Sequence, residues 1–273
     1  MTHSDPVQDH GFLGTLKVLS ARVFRGPHLY SSVPMIQIQL DLGILEEWPT
    51  NRLDSFADRL RALLPGLWDH GCSYGEPGGF VRRMNEGTWL GHVAEHVAIE
   101  LQNMVGMRVT RGKTRSVKGR PGVYNILYCY VDEEVGLAAG RLALQLVNSL
   151  LPDHLRGIEG LDEICEGEEF FNFAAALDDL TSLAARRAFG PTTASLIHEA
   201  ERRHIPVQRM DDSSLVLLGQ GIHQKRIRAS CSDFTSQVAT DVAADKDLTK
   251  LLLDQAGLPV PTGRLVQSEE EAI

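Results

Sequence analysis

The residues best suited to chemistry lie together in the segment His92-Val93-Ala94-Glu95-His96. On an α-helix, positions four residues apart are separated by only about 40° around the axis, so both imidazoles can reach one metal ion. Glu95 stands beside them as a base for a metal-bound water. This spacing is the inverted zincin pattern HxxEH. It predicts that His92 and His96 bind zinc and that Glu95 is catalytic.

A catalytic zinc site needs a third protein ligand, which one helix rarely supplies together with the histidine pair. Glu100, eight residues after His92, is therefore a poor candidate. A second long helix begins near Glu133 and Glu134, and two helices side by side on one sheet would bring either carboxylate to the pair. Glu134 is slightly preferred. The alternative is an ordinary histidine pair without a metal, since short matches also arise by chance.

Charge is distributed unevenly along the chain. Among 273 residues, 27 Lys and Arg stand against 36 Asp and Glu, and the net charge of −9 argues against a nucleic-acid binder. Residues 108–120 nevertheless contain no acid and six basic side chains: Arg108, Arg111, Lys113, Arg115, Lys118 and Arg120. This pattern predicts a flexible cationic loop for an anionic partner, or a solvated loop without function. Residues 159–179 hold eight acids and no Lys or Arg, which predicts an acidic connector.

The cysteines give information on the compartment. Cys72, Cys129, Cys165 and Cys231 are far apart and form no CxxC pair, so they are predicted to be reduced structural thiols. A disulfide framework or a zinc knuckle is the alternative, but it lacks paired spacing. No run approaches the about 18 apolar residues of a membrane span, and residues 1–12 lack the pattern of a signal peptide. We therefore expect a cytoplasmic protein without a membrane partner.

Hydrophobic periodicity predicts an α+β domain over residues 1–160, in which a small sheet packs with two long helices. Strands are predicted at LKVLSARVFRG, MIQIQLDLG and GVYNILYCYV, and helices at RLDSFADRLRALLPGLW, TWLGHVAEHVAIELQNMVG and DEEVGLAAGRLALQLVNSLL, the last capped by Asp132. CSYGEPGGFVRRMNEG is expected to lead into the histidine helix as a glycine-rich loop. Residues 161–273 predict helices, short strands and a final helix, an incomplete α/β segment.

Several runs of this sequence, in order from about residue 15 to residue 264, carry a family resemblance. The longest are CSYGEPGGFVRRMNEGTWLGHVAEHVAIELQ, PGVYNILYCYVDEEVGLAAGRLA and VAADKDLTKLLLDQAGLPVPTG; shorter ones are FRGPHLYS, GKTRS, GPTTASLIHEAERRHIP and LGQGIHQKRIRAS. Together they resemble the N-terminal part of cyanophycin synthetase. The family enzyme is longer and follows its N-terminal domain with an ATP-grasp domain, which adds aspartate to the polymer backbone, and a Mur-ligase-like domain, which adds arginine to each aspartate side chain. The resemblance implies that residues 161–273 begin the ATP-grasp domain.

The resemblance also implies a role. The parent protein would be an ATP-dependent amide ligase that uses ATP and Mg²⁺, and its partners would be the remaining ligase domains in a homo-oligomer. This chain lacks the ligase core, so its implied share is to bind and position cyanophycin, the aspartate/arginine polymer. In some members the N-terminal domain also cuts the polymer internally to make primers, and His92, Glu95 and His96 stand at the matching positions. There a metal would polarise the scissile carbonyl while Glu95 accepts a proton from water.

A zwitterionic polymer suits a surface of alternating charge. The basic segment is expected to hold carboxylates, while Glu76 and Glu86 meet guanidinium groups. The residues predicted to bind polymer are Arg82, Arg83, Glu86, Arg108, Arg111, Lys113, Arg115, Thr192 and Asp241. Thr192 and Asp241 rest on the resemblance alone, and the family often has Ser and Glu at these positions.

Three other interpretations remain, in this order behind membership of the synthetase family. The first is a stand-alone metallopeptidase, identified by bound zinc and by loss of cleavage in His92→Ala. The second is a binding module without chemistry, which would keep its polymer whatever replaces Glu95. The third is a nucleic-acid binder, which a salt-dependent shift assay tests.

Overall fold

The computed structural model describes residues 15–168 and 170–263 together with residues 266, 268 and 270. The first twelve residues, in which the sequence shows no leader pattern, lie outside the described part. The chain forms two compact units: the first ends at Ala188 and the second begins at Phe189. Among the described residues, no helix has the length and apolar character needed to span a bilayer.

The first unit is built on a five-stranded sheet with the strand order β3-β4-β2-β1-β5. Neighbouring strands are antiparallel, except that the short β5 runs parallel to β1. The strands are β1 (Leu16–Phe24), β2 (Met35–Asp41), β3 (Gly112–Ser116), β4 (Val123–Cys129) and β5 (Ile158–Glu159). The three predicted strands are confirmed as β1, β2 and β4. The expectation of a flexible loop over residues 108–120 is corrected, because Gly112–Ser116 pairs with β4 as an edge strand.

One face of this sheet carries the hydrophobic core. Ile36, Ile38 and Leu40 alternate along β2 and are buried, as expected for a strand with one face turned inward. Residues opposite each other in the register share a face, so Ile126 of β4, the partner of Ile38, also faces the core. Two long helices of the unit pack against this sheet.

The α-helices of the first unit, within the described residues, are α1 (Phe56–Leu63), α2 (Gly79–Glu86), α3 (Leu90–Met104), α4 (Glu133–Ser149) and α5 (Phe173–Arg187). The two long helices predicted at the histidine motif and after Asp132 are α3 and α4, and the α+β prediction is confirmed. Helix α2 corrects the expectation of a continuous glycine-rich loop. Its sequence buries Phe80, Val81 and Met84 at helical spacing, which stabilises a short helix after the glycines.

Helix α4 lies close to the sheet because two of its inward positions are glycines. A Cβ at Gly136 would stand 2.7 Å from the Ile36 side chain, and one at Gly140 would overlap the Tyr128 hydroxyl. This hydroxyl donates a hydrogen bond to the Gly136 carbonyl at 3.0 Å, which satisfies the one polar atom of a fully buried ring.

Arg141 of α4 holds the acidic connector. Its side chain is 7% exposed and pairs with Asp162 at 2.8 Å. It also donates to the carbonyl oxygens of Cys165, Gly167 and Glu168. Helix α5 then packs against α4. The first compact unit therefore extends to Ala188, past the boundary predicted after residue 160.

The second unit contains a four-stranded antiparallel sheet in the order β6-β7-β8-β9. Its elements are α6 (Pro191–Arg202), β6 (Val207–Arg209), β7 (Leu215–Leu218), β8 (Lys225–Arg228), β9 (Cys231–Ser232), α7 (Gln237–Ala244) and α8 (Lys246–Gln255). The order follows the prediction, apart from β9 and α7, which were not expected. The assignment of this region to an ATP-grasp domain stays a prediction.

Asp132→Ala tests the attachment of α4. The Asp132 carboxylate accepts from the backbone N–H groups of Glu134 and Val135 and pairs with Arg187 at 3.0 Å. Its loss removes the helix cap and weakens the pairing of a largely buried guanidinium, so we expect the free energy of unfolding to fall by about 2–4 kcal/mol. Urea unfolding followed by tryptophan fluorescence measures this, since Trp48, Trp68 and Trp89 all lie in the first unit.

The matched control is Asp153→Ala. The Asp153 side chain is 95% exposed and pairs with Arg156 at the surface, so a change below about 0.5 kcal/mol is expected. Equal effects of the two substitutions would contradict the capping role of Asp132.

Candidate metal centre

Helix α3 places His92, Glu95 and His96 on one buried stretch, as the motif predicted. The helix ends before Gly106, whose φ of +86° is readily adopted only by glycine. Glu95 is 4% exposed and His96 is 7% exposed, and the centroids of the two imidazoles lie 4.9 Å apart. The two rings are therefore close to each other and largely out of water.

The Nδ1 atom of each imidazole has a polar partner. His92 Nδ1 lies 2.9 Å from Thr88 Oγ1, and His96 Nδ1 lies 2.9 Å from His70 Nδ1. The Nε2 atoms are the ones that a metal would use, as is usual for histidine ligands whose other nitrogen is fixed by a hydrogen bond. Phe80 stacks on the His96 ring, with 3.9 Å between centroids, and keeps its plane in place.

Cys72 completes a group of three potential ligands. Its Sγ lies 3.5 Å from His92 Nε2, and the ligand atoms of Cys72, His92 and His96 all lie within 4.8 Å of one another. Cys72 has a φ of +48°, a left-handed conformation that is uncommon for a residue with a side chain. Strain of this kind is often found at binding sites. Cys72, which was predicted to be a reduced structural thiol, is a free cysteine that the fold places beside the histidines.

Glu133 and Glu134, the predicted third ligands, lie elsewhere. The Glu133 carboxylate accepts two hydrogen bonds from Arg25, at 2.6 and 2.7 Å. Glu134 pairs with Arg187 at 3.3 Å. The structure brings neither carboxylate into the cavity that holds the histidines.

Glu133 and Glu134 do not reach the histidines because α4 begins beside the far end of α3. Gln102 of α3 donates to the carbonyl of Cys129, the last residue of β4, and α4 starts soon after it. Gln102 is six residues beyond His96, about 9 Å along the helix axis. Side-by-side packing of α3 and α4 therefore brings the first turn of α4 to the far end of α3.

The Glu95 carboxylate is packed against the edge strand β3. Thr114 Oγ1 donates to it at 2.6 Å, and a Cβ at Gly112 would stand 2.6 Å from Glu95 Oε1. Burial raises the pKa of Glu95 to about 7, although the hydrogen bond from Thr114 works in the opposite direction. A carboxyl with this pKa is suited to accept and return a proton near neutral pH.

Burial also sets the protonation of the histidines. It lowers the pKa of His92 to about 4, with a smaller contribution from the nearby Arg83 guanidinium, and it lowers the pKa of His96 well below its usual value. Both imidazoles are neutral at pH 7, which is the form that binds a metal.

Glu100, which its spacing from His92 made a poor candidate for a metal ligand, instead supports His96 through His70. Its carboxylate accepts from His70 Nε2 at 3.0 Å, and His70 in turn contacts His96. The chain leaves room for Glu100 at Gly66, where a Cβ would overlap the carboxylate. The contacts link Glu100, His70 and His96 into one buried network.

A cavity of about 870 Å³ lies over these residues. Its lining contains Cys72, both histidines of the motif and Glu95, together with His70 and Glu100. Two cationic residues, Arg111 and Lys113, also line it. The three potential ligands and the candidate base thus share one chamber.

The other residues predicted to bind polymer divide into three places. Arg82 stacks over the Tyr74 ring at 4.4 Å and pairs with Glu86 at 2.9 Å, while the Tyr74 hydroxyl donates to Glu86. Arg83 is half-buried on α2, and Glu76 is exposed in the preceding loop. The Glu86 carboxylate is therefore already paired with the Arg82 guanidinium and the Tyr74 hydroxyl.

Arg108 and Arg115 are exposed near and on β3, but neither lines the cavity. Thr192 and Asp241 lie in the second unit, in the first turn of α6 and in α7, and both are exposed. The Asp241 carboxylate accepts from Gln237 at 2.7 Å.

Four residues of the centre were not predicted: Cys72, His70, Thr88 and Thr114. His70 and Cys72 lie two residues apart at the start of the glycine-rich stretch, and a His and a Cys beside glycines was the signal available. The two threonines carry no such signal in the sequence, because a hydroxyl that supports a buried side chain is identified only by its contacts.

Gly66→Ala tests the buried network. The new methyl group would overlap the Glu100 carboxylate, which is buried and cannot move freely, so we expect a loss of about 1–3 kcal/mol in the free energy of unfolding. Gly26→Ala is the matched control, because a Cβ there meets nothing within 4 Å. Tryptophan fluorescence during urea unfolding measures both. Unchanged stability of Gly66→Ala would show that Glu100 is not confined.

Residues 37–152 match a family model described as the cyanophycin synthase-like N-terminal domain. This stretch runs from β2 to just beyond α4 and includes Cys72, α3 and β3. The matched domain thus contains the entire candidate centre.

The chain is also similar to whole proteins named cyanophycin synthetase. It is 40% identical over 258 residues to the one from Crocosphaera subtropica, covering 94% of this chain and 28% of the relative. The Synechocystis sp. protein is 40% identical over 263 residues, or 94% of this chain and 29% of the relative. The Nostoc sp. protein is 36% identical over 263 residues, or 94% and 28%. The chain spans less than a third of the length of these relatives. Residues 37–152 are thus similar to the cyanophycin synthase-like N-terminal domain, and nearly all of the chain is similar to part of the cyanophycin synthetases.

Proposed function

We propose that this chain is the polymer-handling part of a cyanophycin-synthesising ligase and that its buried centre is a zinc-dependent hydrolase, which cuts the aspartate/arginine polymer internally to create primers. One observation carries the proposal: potential ligand atoms of Cys72, His92 and His96 lie within 4.8 Å of one another in a cavity that also holds Glu95. The similarity to cyanophycin synthetases supports the choice of polymer.

The donor set fits zinc. One thiolate and two neutral imidazoles are donors that zinc prefers, and three protein ligands leave a fourth position for water or substrate. Ligand distances of about 2.0–2.3 Å require only small side-chain movements from the present spacing. Held by these residues, zinc would supply Lewis-acid activation of the scissile carbonyl and of the attacking water.

Glu95 has the position and protonation of the general base. It follows His92 by one helical turn, lines the same cavity, and has a pKa raised to about 7 by burial. It would take a proton from the attacking water and return it to the leaving amine. Thr114, which donates to Glu95 at 2.6 Å, would hold the carboxylate in position.

Polymer binding is assigned to the charges around the cavity. Arg111 and Lys113, which line the cavity, would hold carboxylates of the polymer, and the exposed Arg108 and Arg115 would extend the cationic surface. Arg82, Arg83 and Glu86 provide a mixed-charge patch on α2. Thr192 and Asp241 of the second unit are proposed to contact the growing polymer end.

The proposal includes the longer protein. ATP and Mg²⁺ belong to the ligase reaction, which we assign to the remaining ligase domains of a cytoplasmic homo-oligomer. No nucleic acid or membrane has a part in it. A polymer-binding module without chemistry is the alternative that the tests below separate.

Cys72→Ala tests the third ligand. We expect the purified chain to carry about one zinc ion, and the substitution to remove most of it, because two imidazoles alone bind zinc weakly. Elemental analysis after dialysis against a mild chelator measures the zinc content. Cys231→Ala, which changes a cysteine of the second unit, is the matched control and should keep the metal. Full zinc content in Cys72→Ala would remove Cys72 from the ligand set.

Glu95→Gln tests the hydrolysis. With zinc bound, the unchanged chain should release soluble fragments from cyanophycin by internal cuts, and the substitution should slow this by about 10²–10⁴-fold, since it removes the base. Mass spectrometry of the soluble products identifies the cuts. Glu166→Gln, an exposed change in the connector, should cleave normally. Polymer binding without cleavage in the unchanged chain would leave the binding module as the function.

A further inference from the structure

The strand next to Glu95 has one free edge. β3 lies at the end of the five-stranded sheet and pairs only with β4 among the described residues. An exposed strand edge offers backbone N–H and C=O groups to any extended chain that can reach them.

The register shows which backbone groups are free. The N–H of Cys129 donates to the Arg111 carbonyl, and the N–H of Val117 donates to the Val123 carbonyl. Because hydrogen-bonded and non-bonded pairs alternate in an antiparallel ladder, residues 111, 113, 115 and 117 point their backbone groups at β4. Those of Gly112, Thr114 and Ser116 point away from the sheet, and outside the ladder they have no backbone hydrogen bond to a described residue.

The side chains of β3 alternate between the two faces of the sheet. Gly112 and Thr114 face α3, where both contact Glu95. Lys113 and Arg115 alternate with these residues and are exposed, and Lys113 also lines the cavity. The free edge thus runs beside the candidate base and beside the cations Lys113 and Arg115.

We infer that the free edge of β3 binds the polymer main chain as an added strand, through the N–H and C=O groups of Gly112, Thr114 and Ser116. This rests on the proposed function. An added strand would pass Glu95 at a distance set by the backbone rather than by any one polymer side chain. Its carboxylates would meet the cations of β3.

Charge selects the occupant of this edge. Pairing β3 with a second copy of itself would place Arg111, Lys113 and Arg115 opposite or beside other cations, which destabilises a strand pair. A polymer that carries carboxylates along its length removes this repulsion. Positive side chains on an edge strand thus disfavour self-pairing and favour an extended chain that carries carboxylates.

Hydrogen exchange resolved by residue tests the inference. The full chain with Glu95→Gln is used so that the polymer is not consumed, and the probe is a soluble aspartate/arginine polymer fragment of defined length. At about ten times its Kd, exchange of the Gly112, Thr114 and Ser116 amides should slow about tenfold, because only the free state exchanges. The amides of Lys113 and Arg115, already in the ladder, should change little.

Ser116→Pro provides the matched variant. It removes one outward N–H, leaves the bonds between β3 and β4 in place, and suits an edge position. Loss of one hydrogen bond should weaken polymer binding about three- to tenfold. Ser116→Ala keeps the N–H and should bind as the unchanged chain does. Unchanged zinc content in both variants would show that the centre is intact.

The outcomes are distinct. Polymer binding without slower exchange at the three outward amides overturns the inference but leaves the proposed function standing. Absence of any polymer binding overturns both. Protection of these amides in the free chain that grows with protein concentration would show that a second copy occupies the edge, which also overturns the inference.

Discussion

The first unit depends on one electrostatic constraint: α3 takes two imidazoles and two carboxyl groups out of water on a single helix. A buried polar group left without a partner costs about 1–3 kcal/mol, and a charged one costs more. Neighbouring segments meet this need in turn: Thr114 for Glu95, Thr88 for His92, and His70 for both His96 and Glu100. The loop before α2 and the edge strand β3 are therefore fixed to the helix by polar contacts as well as by apolar burial.

The same constraint explains the local backbone. Gly66 and Gly112 give the carboxylates of Glu100 and Glu95 the space that a side chain would fill. Cys72 is held in a left-handed conformation, and the result is a thiol beside His92. These features reduce stability locally and are retained where they build a site. The apolar packing of α3 and α4 on the sheet stabilises the first unit and offsets the local loss of stability at the centre.

Desolvation and position act together on the proposed chemistry. Burial keeps both imidazoles neutral and moves the pKa of Glu95 to about 7, so the ligands and the base take their working forms without a neighbouring charge of opposite sign. Because Glu95 is also anchored to β3, the base and the free strand edge keep a constant distance. A polymer bound along this edge would therefore present any of its repeats to Glu95 at the same distance, whatever the length of the polymer.

The sequence alone determined the strands β1, β2 and β4, the helices α3 and α4, the Asp132 cap and the motif of His92, Glu95 and His96, because periodicity and capping are local. The tertiary structure decided the rest. It placed Cys72 rather than Glu133 or Glu134 beside the histidines, since the start of α4 lies at the far end of α3 from the motif. It made an edge strand of the basic segment, since strand pairing joins residues distant in sequence and leaves no periodic signal in a short cationic run.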